Sequence, residues 1–428
     1  MAQVGITKEI RSAVKNANSS LTQIVEEHMN TTSQDVTATD ARMLAARRAG
    51  QVTSSYYQTI TRALVAAALI VFAIGTTAMA ESSPDKAVAA VAAAKQGLWV
   101  ANGTNVLEFS PGQLNGGLNL NVPPKLIISD AFGAPQGVQF DASGNLWVID
   151  GGTTSTGGKT APALDEFTPA QLANLKKVPN PTPNVEITSA SFVFIQQGVF
   201  DSAGNFWVTD NGNNTVDVFS KKQLALTATI DPSVTISSDD PFTGPLGIVF
   251  QPSSGNLFVA NNGTTTIFAF KKTNLATNAP LGSGDVTLVP DVELSDDGHN
   301  SIQAPWALIF DLAGSLWSSN ANTPFTLVKF TSGQLTSTGS PTPAVTVSPF
   351  NVKKGKNTNP SLNAPNGIAF DNIGNLAAIN SATPFSISKF VPMQLTTGGK
   401  LKPKTFIIGG NTTLNAPAGD VFGGFFTK

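Results

Sequence analysis

The stretch Pro365-Asn-Gly-Ile-Ala-Phe-Asp-Asn-Ile-Gly-Asn-Leu376 decides how the rest of the chain is read. A Pro-x-Gly tag preceded by Ala or Gly opens a short apolar run that ends in Phe. Asp-x-x-Gly-Asn then supplies a turn, because Asp bonds the backbone ahead of it and Gly tolerates positive φ. A second apolar run follows. The tag recurs at Ala134-Pro135-Gln136-Gly137, Gly244-Pro245-Leu246-Gly247, Ala304-Pro305-Trp306-Ala307 and Ala416-Pro417-Ala418-Gly419. Ile195-Gln196-Gln197-Gly198 reads as a degenerate copy, one residue short. Successive tags lie roughly 50 to 60 residues apart, the spacing of propeller blades or solenoid units.

Each repeat holds four strand patterns. After the tag strand comes a segment rich in β-branched and aromatic residues, at Leu98–Ala101, Leu146–Ile149, Phe206–Thr209, Leu257–Ala260, Leu316–Ser319 and Leu376–Ile379. A third strand runs into tails such as FSPGQL from Phe109, FSKKQL from Phe219 and FTSGQL from Phe330. The fourth recurs at 125–129, 184–188, 233–237, 292–295, 344–348 and 405–409. The first repeat lacks its tag strand, and the chain finishes on an orphan one, Gly419–Phe422. Surplus fits deficit. The expected fold is all-β: a six-bladed β-propeller of four antiparallel strands per blade, with the C-terminal strand completing the first blade. Closure removes exposed sheet edges, whereas an open solenoid needs polar caps.

Composition narrows the function. The 428 residues are 13% charged and 41% hydrophobic, with 38 Gly and 27 Pro, the profile of a turn-rich β protein. Net charge is −2, and no basic stripe gives an electrostatic footprint for nucleic acid. Cysteine is absent, so disulfides, thiolate metal sites and a Cys nucleophile are excluded. Only His28 and His299 are histidines.

Residues 63–80 hold a run of apolar residues, Ala63 to Gly75, preceded by Arg62 and followed by Ala78-Met79-Ala80. That is a secretory layout, shorter in its core than the ~20 residues of a spanning helix. Residues 1–62 precede it. Three readings stay open: a coding start nearer Met43, an unusually long signal, or a membrane anchor formed by 63–80 behind a cytoplasmic tail. All three place the repeats outside the cytoplasm, whether periplasmic, secreted or anchored. The expected organisation is thus an extension 1–62, a signal or anchor 63–80, a linker 81–96 and a propeller 97–428.

The pattern P-x-G-I/V-x-F-D-x-x-G-N-L-W-V-x-D/N resembles the NHL repeat, most clearly at Pro365–Leu376 and at Asp201–Asn214. Thr215 stands where that family often carries Arg. The wider group of such propellers includes gluconolactonase-like and strictosidine synthase-like proteins, so the resemblance implies a fold more than an activity. Gluconolactonase-like propellers place metal ligands at the kind of position the tag's x occupies; only Asn366 matches here, and no tag has a carboxylate at x.

Function belongs where blades differ. The x positions are Gln136, Gln196 or Gln197, Leu246, Trp306, Asn366 and Ala418. Gln136, Gln196, Trp306 and Asn366 are the candidate ligand-binding residues at the channel mouth, with Trp306 suited to stacking on a sugar or flat ligand. A polar residue also ends every second strand: Asn102, Asp150, Asp210, Asn261, Asn320 and Asn380. Such a ring reads first as turn formers. It reads second as oxygen ligands for a hard cation such as Ca2+, with Asp150 and Asp210, plus the outlier Asp420, as the metal candidates. The expected protein is a monomeric, non-catalytic binding or scaffold propeller for a small molecule, glycan or protein. The alternative is a metal-assisted lactonase-like hydrolase or NHL-type lyase. No catalytic residue is assigned, and His299 reads as a solvated loop residue.

Overall fold

The computed structural model describes residues 97–129, 132–152 and 161–422. The readings of 1–62, 63–80 and 81–96 lie outside the described residues. The described part falls within one compact unit, Pro84–Lys428. It contains no helix long and apolar enough to cross a membrane.

Six twisted sheets surround one axis. Blade one pairs Pro417–Phe422 with Leu98–Asn102, then Asn105–Phe109 and Leu126–Ile128. The next five begin innermost with Pro135–Phe140, Ile195–Phe200, Pro245–Phe250, Pro305–Phe310 and Pro365–Phe370. Each innermost strand touches the next around the ring, and Pro417–Phe422 lies between the sixth and the second. The expected six-bladed propeller and its closing strand are both present: Leu98 pairs with Phe422 and Val100 with Asp420.

Six apolar clusters hold the ring, one at each seam between blades. Trp99 sits in the seam of blades one and two, Trp147 in the next, then Trp207, Phe258 and Trp317. In blades two to six, the Phe that ends the tag strand packs against the previous blade's aromatic ring. Centroids are 6.2 Å apart for Trp99–Phe140, 5.3 Å for Trp207–Phe250 and 6.1 Å for Trp317–Phe370, all edge-on. Such pairs contribute about 1 kcal/mol each beyond area burial. The seam of blades six and one differs. It has Ala377 at the aromatic position and Asp420 where four of the other blades carry Val138, Ile248, Leu308 or Ile368.

The repeat motifs are joints. In Asp-x-x-Gly-Asn, one oxygen of Asp201 accepts from the backbone N–H groups of Ala203 and Asn205, and the other from the Asn205 amide and the Trp207 indole at 3.1 Å. The Trp is thereby tied to the turn that precedes its strand. In the third-strand tail, Gln223 Oε1 accepts from the Ser220 N–H while its Nε2 donates to the Asp231 carbonyl. Gln113, Gln171, Gln334 and Gln394 repeat the bridge to Pro123, Thr182, Thr342 and Lys402. At Thr168 it becomes a capping box for the helix Pro169–Asn174.

An outer belt supplements the inner ring. The connector of each blade lies parallel along the outer edge of the one before. Ala228–Thr229 pairs with blade two, Gly284–Leu288 with blade three and Gly399–Lys400 with blade five. Single bridges Leu294–Gly339 and Leu120–Ile407 serve blades four and six, and Ser129 donates to the Pro179 carbonyl at blade one. Three sheets thus have five strands where the repeat predicts four. The addition covers the edge that would otherwise template association.

Candidate binding site at the channel mouth

The tag is a β-bulge. In every blade the pairing of first and second strands slips there: between Pro135 and Gly137, Ile195 and Gly198, Pro245 and Ile248, Pro305 and Leu308, and Pro365 and Gly367. In blade one the slip lies between Val100 and Asn102, opposite Asp420 and Pro417. A bulge re-aims the chain without ending the strand. The residue before the tag proline is left-handed in four blades, with φ of 66° at Gly244, 46° at Ala304, 50° at Ala364 and 47° at Ala416. That conformation disfavours larger side chains, which accounts for the Ala/Gly preference.

Gln136, Gln196, Leu246, Trp306, Asn366 and Ala418 therefore form one tier at the same end of the six inner strands. The residues after them form a second tier, the waist. A Cβ on Gly137 would lie 2.8 Å from the Gln196 carbonyl, on Gly247 2.5 Å from that of Trp306, and on Gly419 2.6 Å from that of Gln136. Each tag glycine is the point where the next inner strand presses in.

The copy in blade three is not short. Ile195–Phe200 and Pro135–Phe140 each have six residues; the glycine has moved one place along. Gly198 occupies the apolar seam position, and Phe206 fills the space, so that a Cβ there would lie 2.4 Å from its ring. Gln197 takes the waist position. Its amide nitrogen reaches the Asn366 carbonyl at 3.5 Å, a long contact between opposite blades. The waist is bridged by this side chain, and the tier of x residues lies at one mouth.

Two groups at this centre are orphaned. Asn366 is 8% exposed, and its Oδ1 is buried with no hydrogen-bond partner; the same holds for both carboxylate oxygens of Asp420. Asp420 lies against Gly367, where a Cβ would come 2.3 Å from Oδ1. Burial alone pushes its pKa well above the usual carboxylate value. Trp306 and Gln136 are half-buried, and Gln196 is buried.

The polar residues that end the second strands are staples for the loop entering the same blade. Asp150 accepts from the N–H groups of Gly133 and Ala134 at 2.8 and 2.7 Å. Asp210 accepts from Val193 and Phe194, both at 2.9 Å. The Asn blades use one acceptor and one donor: Asn380 accepts from Asn363 N–H and donates to the Ser361 carbonyl. In blade one the same bond crosses the closure, from Asn415 N–H to Asn102 at 2.6 Å. Asp stands where the loop offers two N–H groups, and Asn where it offers one N–H and one carbonyl. The turn bond two residues on, from Gly152 and Gly212 N–H, is present only as an addition.

These bonds occupy Asp150 and Asp210, two of the three carboxylates proposed as metal ligands. Asp150, Asp210 and Asp420 do not come together: among the described residues there is no group of three or more Asp, Glu, His or Cys side chains able to hold a metal. The loop origin of the Asp/Asn choice is testable. Asp210→Ala should destabilise the protein by ~3 kcal/mol, because buried N–H groups lose their acceptor. Asn380→Asp should also destabilise, since a carboxylate would face the Ser361 carbonyl. Urea unfolding at pH 7 reads both, and neutrality of the pair would remove the explanation.

His299 is 87% exposed, held near Asp297. A cavity of about 150 Å³ between blades four and five is lined by Gln251, Lys271, Asp291, Ser332 and Leu335 among others, and contains none of the channel residues.

No known family matches the chain, and neither does any curated protein. It is similar in structure to a protein of unknown function from Bacteroides caccae, with 9% identity over 77% of this chain and 98% of that one, TM-score 0.49. A putative 6-phosphogluconolactonase from Bacteroides fragilis shares 12% identity over 77% and 98%, TM-score 0.48. Virginiamycin B lyase from Staphylococcus aureus shares 16% over 60% and 67%, TM-score 0.34. The class of the protein, a six-bladed β-propeller, rests on its own strand pairing.

Proposed function

We propose that this chain is an exported, NHL-like, non-catalytic binding or scaffold propeller whose ligand sits at the channel mouth on Gln136, Gln196, Trp306 and Asn366. The observation that supports it is the single tier of dissimilar x residues above a waist bridged by Gln197. All regular positions are consumed by joints, staples and seams; this tier is where the blades differ. Export rests on the layout of residues 63–80. The ligand class is a small molecule or glycan with a flat apolar face for Trp306 and hydrogen-bonding groups for the amides.

The second reading, a metal-assisted hydrolase or lyase, draws on Asn366 Oδ1 and Asp420, whose acceptors have no partner. Titrating the full chain with Ca2+ and Zn2+ separates the two. A rise in melting temperature and a stoichiometric bound ion, both lost in Asp420→Asn, favour the metal reading. For the binding reading, a panel of mono- and oligosaccharides is screened by thermal shift. Trp306→Ala should weaken capture at least tenfold with the apo melting temperature unchanged, the loss of a stacking contact. A collapse of apo stability instead would make Trp306 a packing residue and sink the site.

A further inference from the structure

Charge on this ring is divided between opposite blades. Residues 349–410, which build blade six and the hairpin before it, hold seven lysines and one acid, Asp371. Residues 189–300, which build blades three and four, hold eleven acids, of which Asp210 and Asp217 are buried, and four exposed lysines, a surface excess of five acids. Six of the blade-six lysines are exposed: Lys353, Lys354, Lys356, Lys400, Lys402 and Lys404. The first three lie on the hairpin Asn351–Lys354 and Asn357–Pro360. That hairpin is seated by Val352 on Phe406 and Ile408 of the outer strand and tied to blade one through the Asn119 amide and the Lys353 carbonyl. The other three lie on the connector leading into that outer strand, Lys400 on the short strand paired with blade five, and Lys402 and Lys404 just before Thr405, anchored by Gln394 to the Lys402 carbonyl and by Lys404 N–H to the Lys389 carbonyl. The lysines are therefore carried on fixed backbone, three on the hairpin that packs on this outer strand and three on the connector that leads into it.

The rim of blade three has the complementary arrangement. Asp239 and Asp240 follow its outer strand Val234–Ser238, and Asp231 precedes it. Asp285 lies on the covering strand, opposite Thr235. All four are exposed. In a ring of six, blade three is diametrically opposite blade six. The two rims cannot meet within one molecule, but they can meet between two.

We propose that the chain associates head to tail with a second copy of itself, the lysine rim of blade six docking on the acidic rim of blade three. The contact is heterologous, so each copy retains one free rim of each sign and the assembly extends with concentration. Opposed fields of this kind steer encounter and fix orientation more than they add affinity. They are screened beyond about 8 Å at physiological ionic strength, so the association is weak and salt-sensitive. It departs from the monomer expected of a ring that hides its sheet edges, because it uses side chains rather than unpaired backbone. It does not depend on what the channel mouth binds.

Sedimentation velocity of the full chain in 20 mM and 300 mM NaCl, over a hundredfold range of protein concentration, tests this. The weight-average sedimentation coefficient should rise with concentration in low salt and stay at the monomer value in high salt. Lys353→Glu/Lys354→Glu/Lys356→Glu should abolish the rise, and so should Asp231→Lys/Asp239→Lys/Asp240→Lys. Mixing the two variants should restore it, since one supplies an intact acidic rim and the other an intact basic rim. Unchanged melting temperatures confirm that the variants fold; a variant that fails this check is replaced by the milder Lys→Gln or Asp→Asn set. A monomer at every concentration in low salt overturns the proposal. So does association that survives either variant, or a mixture that stays monomeric. Anionic phosphatidylglycerol vesicles form the last arm: lysine-dependent vesicle binding by a chain that does not self-associate would assign the rim to a lipid surface instead.

Discussion

Truncation after Asn415 is expected to abolish cooperative folding. The missing strand, Pro417–Phe422, supplies the inner edge of blade one and touches the inner strands of blades six and two. Its loss uncovers Leu98 and Val100, both buried, and opens the edge of Leu98–Asn102 to pairing with other chains. The expected cost is on the order of 5–10 kcal/mol, comparable to the whole stability of an ordinary domain. Circular dichroism and size exclusion of the truncated chain should show a molten or aggregated species. A sharp thermal transition near that of the intact chain would mean the ring does not depend on its closing strand.

The same strand carries the opposite prediction. Asp420→Val should stabilise the ring. Asp420 stands where Val138, Ile248, Leu308 and Ile368 pack into the other seams, and its two buried oxygens have no partner. No titratable or charged residue lies on the strands packed against it, Leu98–Asn102, Pro365–Phe370 and Pro135–Phe140. An uncompensated buried carboxyl destabilises, and an apolar residue of similar volume removes the penalty. The expected gain at pH 7 is ~2 kcal/mol, a rise of several degrees in melting temperature.

The sign with pH follows from linkage. Asp420 and Asp217 both have pKa values raised in the folded protein, Asp420 by burial and Asp217 to about 7 by burial and then by the charge of Asp210. The folded state holds their protons longer than the unfolded chain does. Their stabilising contribution is complete below about pH 4 and is lost as pH rises, Asp217's share being gone above about 7. Asp420→Val should therefore gain more over wild type at pH 8 than at pH 4. An equal gain at both would mean that Asp420 is not neutral in the folded ring.

Much of this architecture was legible because it repeats. Six tags, six apolar second strands, five of them carrying an aromatic residue, and an unmatched terminal strand state the number of blades and the manner of closure. The Trp positions were readable as seam packing, because a residue in nearly every copy serves what every copy needs. The outer belt was not readable. Gly399–Lys400 and Ala228–Thr229 are two-residue strands whose partners belong to another blade, and no local pattern marks them. The Asp/Asn alternation was visible, and the local turn bond expected of it is present at Asp150 and Asp210, but the loop each residue clamps lies about 17 residues upstream, beyond a local reading. The shift of glycine from 197 to 198 passed for a deletion. Its compensation lies in the size of Phe206, on a different strand.

The sequence by itself determined the blade count, the seam residues and the closing strand, because these follow from periodicity and hydrophobic pattern, which are properties of order along the chain. Only the tertiary structure decided what the polar residues do. It turned Asp150 and Asp210 into staples, set Gln197 across the waist, left Asp420 without a partner and placed the lysines of blade six opposite the acids of blade three. A polar side chain takes its role from whichever donors, acceptors and charges folding brings to it. In a closed ring those neighbours come from distant parts of the chain.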